Sequence, residues 1–148
     1  MSHPPTEFDS GIETLRVVPY YGKHARYFRM ARAVSEESLY EGYHHGALLV
    51  KGGSILSASP NRGGLCSFGS RFYPYKKGSP TPHAEIGCIL GVDRSVTTGA
   101  TVYVCRVGKQ GDFRLSKPCE MCVGTLRYVG VRRVVWSVDE NHCAIGRL

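Results

Sequence analysis

Apolar positions recur along the chain with two different periods, and the changes of period mark out the elements. Over residues 24–41, Tyr27, Met30, Ala31 and Val34 fall at i, i+3, i+4 and i+7, with Phe28 and Leu39 widening the stripe, so the spacing predicts an amphipathic helix. Two strand-sized runs follow, residues 47–51 and 54–59, separated by Gly52-Gly53, a two-residue hairpin signal. Residues 83–90 read as a short apolar helix and 100–107 as a β-branched buried strand. Residues 119–129 read as a helix with Cys122, Thr125, Leu126 and Val129 on one stripe, and 131–138 as a further strand. The tail, 139–148, begins with a polar turn and has room for a short edge element. Residues 1–22 hold three of the eight prolines and no sustained period, which reads as an arm ahead of a single domain over 23–148.

A hairpin followed by strand–crossover–strand units argues for an α/β sheet with helices on both faces. The strands at 100–107 and 131–138 should lie parallel, joined by the helix at 119–129. In such sheets ligands bind beyond the strand ends, where helices begin.

Composition narrows the class without changing the fold. At 148 residues, with 42% hydrophobic and 21% charged positions, the chain has the make-up of one globular domain and not of a disordered segment. No apolar run approaches the roughly 18–20 residues of a membrane helix, so no membrane partner is expected. The net charge of +7, with a pI near 9.2, favours phosphate-bearing partners. The first residues lack the basic-then-apolar layout of a secretory signal. The six cysteines are therefore expected as reduced thiols in the cytoplasm.

Two stretches leave alternatives open. Arg26, Arg29 and Arg32 form a stripe on the first helix that suits either a solvated face or a phosphate contact. The irregular stretch 60–82 interleaves Arg62, Arg71, Lys76 and Lys77 with Phe68, Phe72, Tyr73 and Tyr75, and contains no acidic residue. Such a loop could track and stack a nucleic-acid strand. It could equally be a compact surface loop packed by its own aromatics.

The chemistry concentrates at two helix starts. His83-Ala84-Glu85 opens one helix and Pro118-Cys119-Glu120-Met121-Cys122 opens the other. Two cysteines three apart in a first turn lie about 60° apart around the axis, so their sulfurs can share one metal. Thiolates with imidazole suit zinc, and a helix start favours the thiolate form. Three protein ligands, His83, Cys119 and Cys122, leave a tetrahedral zinc one position open, as in catalytic sites. Glu85 lies two residues from His83 and so off its face, which suits a proton shuttle beside the metal and not a ligand. A structural zinc clip would need a fourth ligand and would have no use for Glu85; Cys88 is poorly spaced for that place. Cys66 and the pair His142/Cys143 are candidates for a second metal site, or are ordinary residues.

These motifs resemble the cytidine/deoxycytidylate deaminase superfamily. The resemblance rests on His83-Ala84-Glu85, on Ser116-Lys117-Pro118-Cys119-Glu120-Met121-Cys122 and on Val131-Arg132-Arg133-Val134-Val135-Trp136. The hairpin from His45 to Gly53 and the Ser59-Pro60-Asn61 element are also similar. It implies a three-layer α/β/α fold around a mixed, about five-stranded sheet. It implies zinc on His83, Cys119 and Cys122, Glu85 as acid/base, and substrate contacts from Asn61 and the backbone N–H groups of Ala84 and Cys119. The implied activity is hydrolytic deamination of a cytosine nucleotide, deoxycytidylate first. The alternative is deamination of cytosine or adenine within single-stranded DNA or RNA. Phosphate or nucleic-acid contacts would then come from Arg62, Arg71, Lys76, Lys77, Tyr73 and Tyr75. A third reading, a zinc-dependent binding module without chemistry, is opposed by the intact Glu85. The expected partners are a pyrimidine nucleotide and further copies of the chain in a homo-oligomer. The glycine-rich segment of many deoxycytidylate deaminases is not evident, and the tail after Val138 is shorter than the closing helix of many tRNA-editing members.

Overall fold

The computed structural model describes residues 11–39, 43–61 and 83–148. Arg62, Cys66, Arg71, Tyr73, Tyr75, Lys76 and Lys77, all named above, lie outside them. The described elements run β1 (Glu13–Pro19), α1 (Gly22–Ser35), β2 (His44–Lys51), β3 (Ser54–Pro60), α2 (Ala84–Gly87), α3 (Arg94–Thr97), β4 (Thr101–Val107), β5 (Phe113–Arg114), α4 (Glu120–Tyr128), β6 (Arg133–Ser137) and β7 (His142–Arg147).

All strands join one open mixed sheet in the order β1-β7-β6-β4-β2-β3, with β5 pairing the end of β4. The parallel pair is β4 with β6, Thr101 opposite Arg133 through Val104 opposite Trp136, as the crossover through α4 requires. The β2–β3 turn falls on Gly52-Gly53, both at positive φ (60° and 79°), the conformation that a tight two-residue hairpin demands and that glycine adopts without strain.

Side chains alternate across the sheet into two cores. Ala47, Leu49, Val102, Val104, Val134 and Trp136 pack under α2 and α4, and Leu48, Val50, Tyr103, Cys105, Val135 and Ile145 pack with Tyr27, Phe28 and Ala31 of α1. Helices on both faces of a mixed sheet make the three-layer α/β/α class expected from the sequence. Strands covered on both faces are apolar at consecutive positions, which is why Ala47-Leu48-Leu49-Val50 shows no alternation.

The differences from the sequence reading each have a physical cause. The sheet has seven strands, not about five. One addition, β1, lies within the segment read as an arm and pairs with β7 from Glu13–Arg147 to Pro19–His142. Its residues are almost all exposed, and the alternation of Leu15 and Val17 is too short to set it apart from an arm. Strand β7 is consequently not an edge, since it pairs with both β6 and β1. Helix α1 stops at Ser35, whose hydroxyl donates to the Arg32 carbonyl (2.6 Å), and not at residue 41. Its buried face is His24, Tyr27, Phe28, Ala31 and Ser35, while Met30 and Leu39 are exposed. Two members of the arginine stripe are engaged by rings: Arg26 lies over Tyr27 (4.9 Å) and Arg32 over Phe113 (4.1 Å).

Helix α1 and strand β2 come into backbone contact at Gly46. A Cβ there would fall on the Ala31 carbonyl and lie 2.8 Å from the Ser35 amide nitrogen, both backbone atoms that cannot swing aside. Gly46→Ala should therefore push α1 off the sheet and cost about 1–3 kcal/mol, the usual range for overpacking. Urea unfolding would measure it, and an unchanged midpoint would show that the helix–strand contact is looser than described.

Candidate metal centre

The two motifs meet because α2 and α4 begin at the same end of the sheet. His83 and Cys119 each occupy the position just before the first helical turn, in extended conformation (ψ 158° and 168°). Each carbonyl accepts the first helical bond, from Gly87 N–H (2.9 Å) and Val123 N–H (2.9 Å). Neither side chain caps its own helix, so both are left to face each other. Gly87 lets α2 sit directly on β3, since a Cβ there would fall on the Ser59 hydroxyl.

The approach to Cys119 is pinned by two buried serines, Ser116 of the Ser-Lys-Pro-Cys motif and Ser137 of β6, which no sequence pattern links. Ser116 Oγ lies 2.7 Å from Ser137 Oγ and 3.0 Å from the Val104 carbonyl, and accepts from the Ser137 N–H (3.0 Å). Ser137 Oγ donates to the Arg114 carbonyl (2.6 Å) and accepts from Arg106 N–H (3.2 Å). This clasp ties the segment before Cys119 to the ends of β4 and β6. Ser137 carries no period of its own, so only its buried pairing with Ser116 reveals it.

His83 Nδ1 lies 3.2 Å from Cys122 Sγ and 3.6 Å from Cys119 Sγ, and the three donor atoms fall within 4.8 Å of one another. Tetrahedral zinc with ordinary Zn–S and Zn–N bond lengths holds its nitrogen and sulfur ligands about 3.5 Å apart. The two observed separations bracket that value. One nitrogen and two sulfurs fit zinc in chemistry and in spacing, and the thiols are free, not joined in a disulfide. Among the described residues this is the one group able to hold a metal. His142 instead pairs with Asp139 (3.1 Å), and Cys143 is buried in the α1-side core. Cys88 donates from its thiol to the Glu85 carbonyl (3.1 Å) in the other core, and burial pushes its pKa up.

Protons are distributed unevenly over the three donors. A hydrogen bond with Cys119 raises His83 to about 8, against burial. Hydrogen bonds with Cys122 and His83 lower Cys119 to about 4. Burial holds the Cys122 thiol well above the usual range. The metal-free set at neutral pH is thus a thiolate beside an imidazolium and a thiol. Glu85, 6% exposed, has its carboxyl raised chiefly by burial, with His83 and the Cys122 thiol pulling the other way.

The remaining candidates divide. Ala84 is buried in the first turn of α2 and Cys119 is exposed at the start of α4. Asn61 is buried and stitches the start of β2. Its N–H donates to the His45 carbonyl (3.1 Å), its Oδ1 accepts from His45 N–H (2.9 Å) and its Nδ2 donates to the Tyr43 carbonyl (3.2 Å). His45 itself was singled out only as part of the hairpin. Burial, with the charges of His83 and Arg106, lowers it to about 4, so it stands neutral beside the donors at pH 7.

A histidine and two cysteines at paired helix starts, with a buried glutamate alongside, define a zinc protein of the α/β class. Residues 22–138 match the family model described as the cytidine and deoxycytidylate deaminase zinc-binding region, and the chain belongs to that family. No individual curated protein or solved structure shows a significant match to it. No helix among the described residues is long and apolar enough to cross a membrane.

Two outcomes are expected of the metal. The purified protein should carry one zinc per chain by elemental analysis, and Cys119→Ser or His83→Ala should lose it; folded protein that never takes up zinc would contradict the site. Zinc must also displace the protons on His83 and Cys122. Below the raised His83 value both are bound in the free protein, so uptake should release close to two protons. The apparent affinity should then rise about 10²-fold per pH unit between pH 6 and 7. A competition titration with a chelator reads this slope, and a flat profile would contradict the protonation pattern.

Proposed function

We propose that the chain is a zinc-dependent hydrolytic deaminase that converts the cytosine of a nucleotide, deoxycytidylate foremost, into uracil and ammonia. The observation that carries the reading is the Glu85 carboxyl, buried at the start of α2 beside the His83, Cys119 and Cys122 donors. Zinc, when bound by His83, Cys119 and Cys122, supplies a Lewis acid that makes water nucleophilic near neutral pH. Glu85 takes a proton from the attacking water and delivers it to ring N3, then takes the remaining proton of the hydroxyl added at C4 and gives it to the C4 amine as that C–N bond breaks, leaving the C4 carbonyl. One water is consumed and one ammonia is released, so no other reactant is required. A carboxyl whose pKa is raised by burial suits both halves of this exchange.

Ala84 and Cys119 offer backbone N–H groups at the helix starts for the edge of the base, and Asn61, whose side chain makes one bond through Oδ1 and one through Nδ2 among the described residues, has a second N–H and lone pair to offer the sugar. The donor thiols must stay unoxidised, which suits a cytoplasmic location. A second reading, a cytosine or adenine within single-stranded nucleic acid, is favoured by a cleft lined by Arg106, Lys109 and Arg114.

Incubating the zinc-loaded protein with deoxycytidylate, cytidine and a cytosine-containing oligonucleotide, with uracil read by mass spectrometry, separates the readings. Deoxycytidylate should be the preferred substrate. Exclusive deamination of the oligonucleotide would promote the second reading, and no product from any substrate would sink both. Glu85→Ala should keep its zinc and fold and lose turnover by about 10²–10⁴-fold, the range for general acid–base catalysis. Near-normal activity in that variant would assign the proton to another group.

A further inference from the structure

The sheet face that carries the zinc donors continues past them as a row of basic side chains. His45, Arg106 and Arg114 are cross-strand neighbours on β2, β4 and β5. Ala47 and Val104, two positions from His45 and Arg106, pack under α2 and α4, so the pleat puts all three side chains of the row on that same face. At one end of the row His45 feels the charges of His83 and Cys119; Arg106 is its neighbour on the other side. The backbones of Arg106 and Arg114 are also tied through Ser137 to Ser116, and so to the start of α4.

Two arginines directly opposite each other repel. Asp112 answers one of them, at 2.8 Å from Arg114. Arg106 has no carboxylate partner among the described residues, and its guanidinium stands 5.4 Å from the centre of the Tyr43 ring. Lys109, in the turn between β4 and β5, adds a third cation. A cleft of about 470 Å³ opens at the arginine end of the row, beyond His45, and is lined by Tyr43, His44, Arg106, Lys109, Gln110 and Arg114 together with Val107 and Gly108 at the end of β4. Three cations against one carboxylate, with two guanidinium forks, match a phosphate better than a single carboxylate, since phosphate offers several oxygens to bidentate donors.

We propose that this cleft is the phosphate-binding subsite of the enzyme and holds a phosphate attached to the nucleoside whose base lies at the zinc donors. The proposal rests on the deaminase reading for the position of the base. The phosphate can be that of a free nucleotide or a phosphodiester of a strand, and the two sources make different demands. A free nucleotide places one phosphate in the cleft. A strand places several along the row and can stack a neighbouring base on Tyr43.

The test uses the full chain, zinc-loaded and carrying Glu85→Gln so that ligands are bound and not consumed. Dissociation constants for deoxycytidine, deoxycytidylate and a five-nucleotide deoxycytidine strand are compared with and without Arg106→Ala and Arg114→Ala together. Binding of a phosphate-bearing ligand should weaken about tenfold or more, with deoxycytidine much less affected. If deoxycytidylate weakens, the cleft serves a free nucleotide. If only the strand weakens, and its salt dependence drops by about 0.7 per lost contact, the cleft serves phosphodiesters. Equal losses for all three ligands, or none, would overturn the proposal. Should the double variant fail to fold, Lys109→Glu in the exposed turn gives the same comparison, and unchanged phosphate-dependent binding there would overturn it equally. The deaminase reading fails separately: charge-dependent binding with no uracil from the unsubstituted enzyme would sink the chemistry and keep the cleft.

Discussion

Three donor atoms from two segments, with His83 and Cys119 36 residues apart in the chain, have to meet within 4.8 Å, and nothing in either segment brings them together. The parallel pairing of β4 with β6 does so. It obliges the chain to cross over through α4, which puts the start of that helix at the C-terminal end of β4. The β2–β3 hairpin then carries α2 onto the same end, seated on Ser59 through Gly87. The donor set as a whole follows from two helix starts sharing one end of one sheet.

That arrangement places polar groups where apolar packing would otherwise prevail, and the surroundings answer for it. A buried carboxyl and a buried thiol are each pushed toward their neutral forms. The exposed Cys119 collects the negative charge, with His83 opposite. Nearby, the buried Ser116–Ser137 pair satisfies the strand ends without introducing charge. The site is therefore closed on the Glu85 and Cys122 side by core residues and open on the side of Cys119. Opening on one side is what a substrate amine and a departing ammonia both require.

Much of this was legible in the sequence wherever the signal was local. The glycine pair set the hairpin, the β-branched runs set β4 and β6, and the spacing of His83, Cys119 and Cys122 marked the metal donors. What escaped depends on remote partners. Strand β1 is an exposed edge whose identity comes from pairing with β7, more than a hundred residues away in the chain. Strand β7 reads as an edge until β1 covers it. Helix α1 ends at Ser35, short of the apolar stripe that continues to Leu39 on paper, because Leu39 stands exposed and has no core to meet. His45 and the arginines of β4 and β5 look like scattered surface charge until the register lines them up.

The central claim is an open zinc centre with three protein ligands and an uncoordinated glutamate beside it. X-ray absorption at the zinc edge of the loaded protein tests it most directly. Two sulfur neighbours at about 2.3 Å and two lighter ones at about 2.0–2.1 Å are predicted, one from His83 and one from the open position, unchanged by Glu85→Gln. Three or four sulfurs, or a light neighbour lost with Glu85, would contradict it.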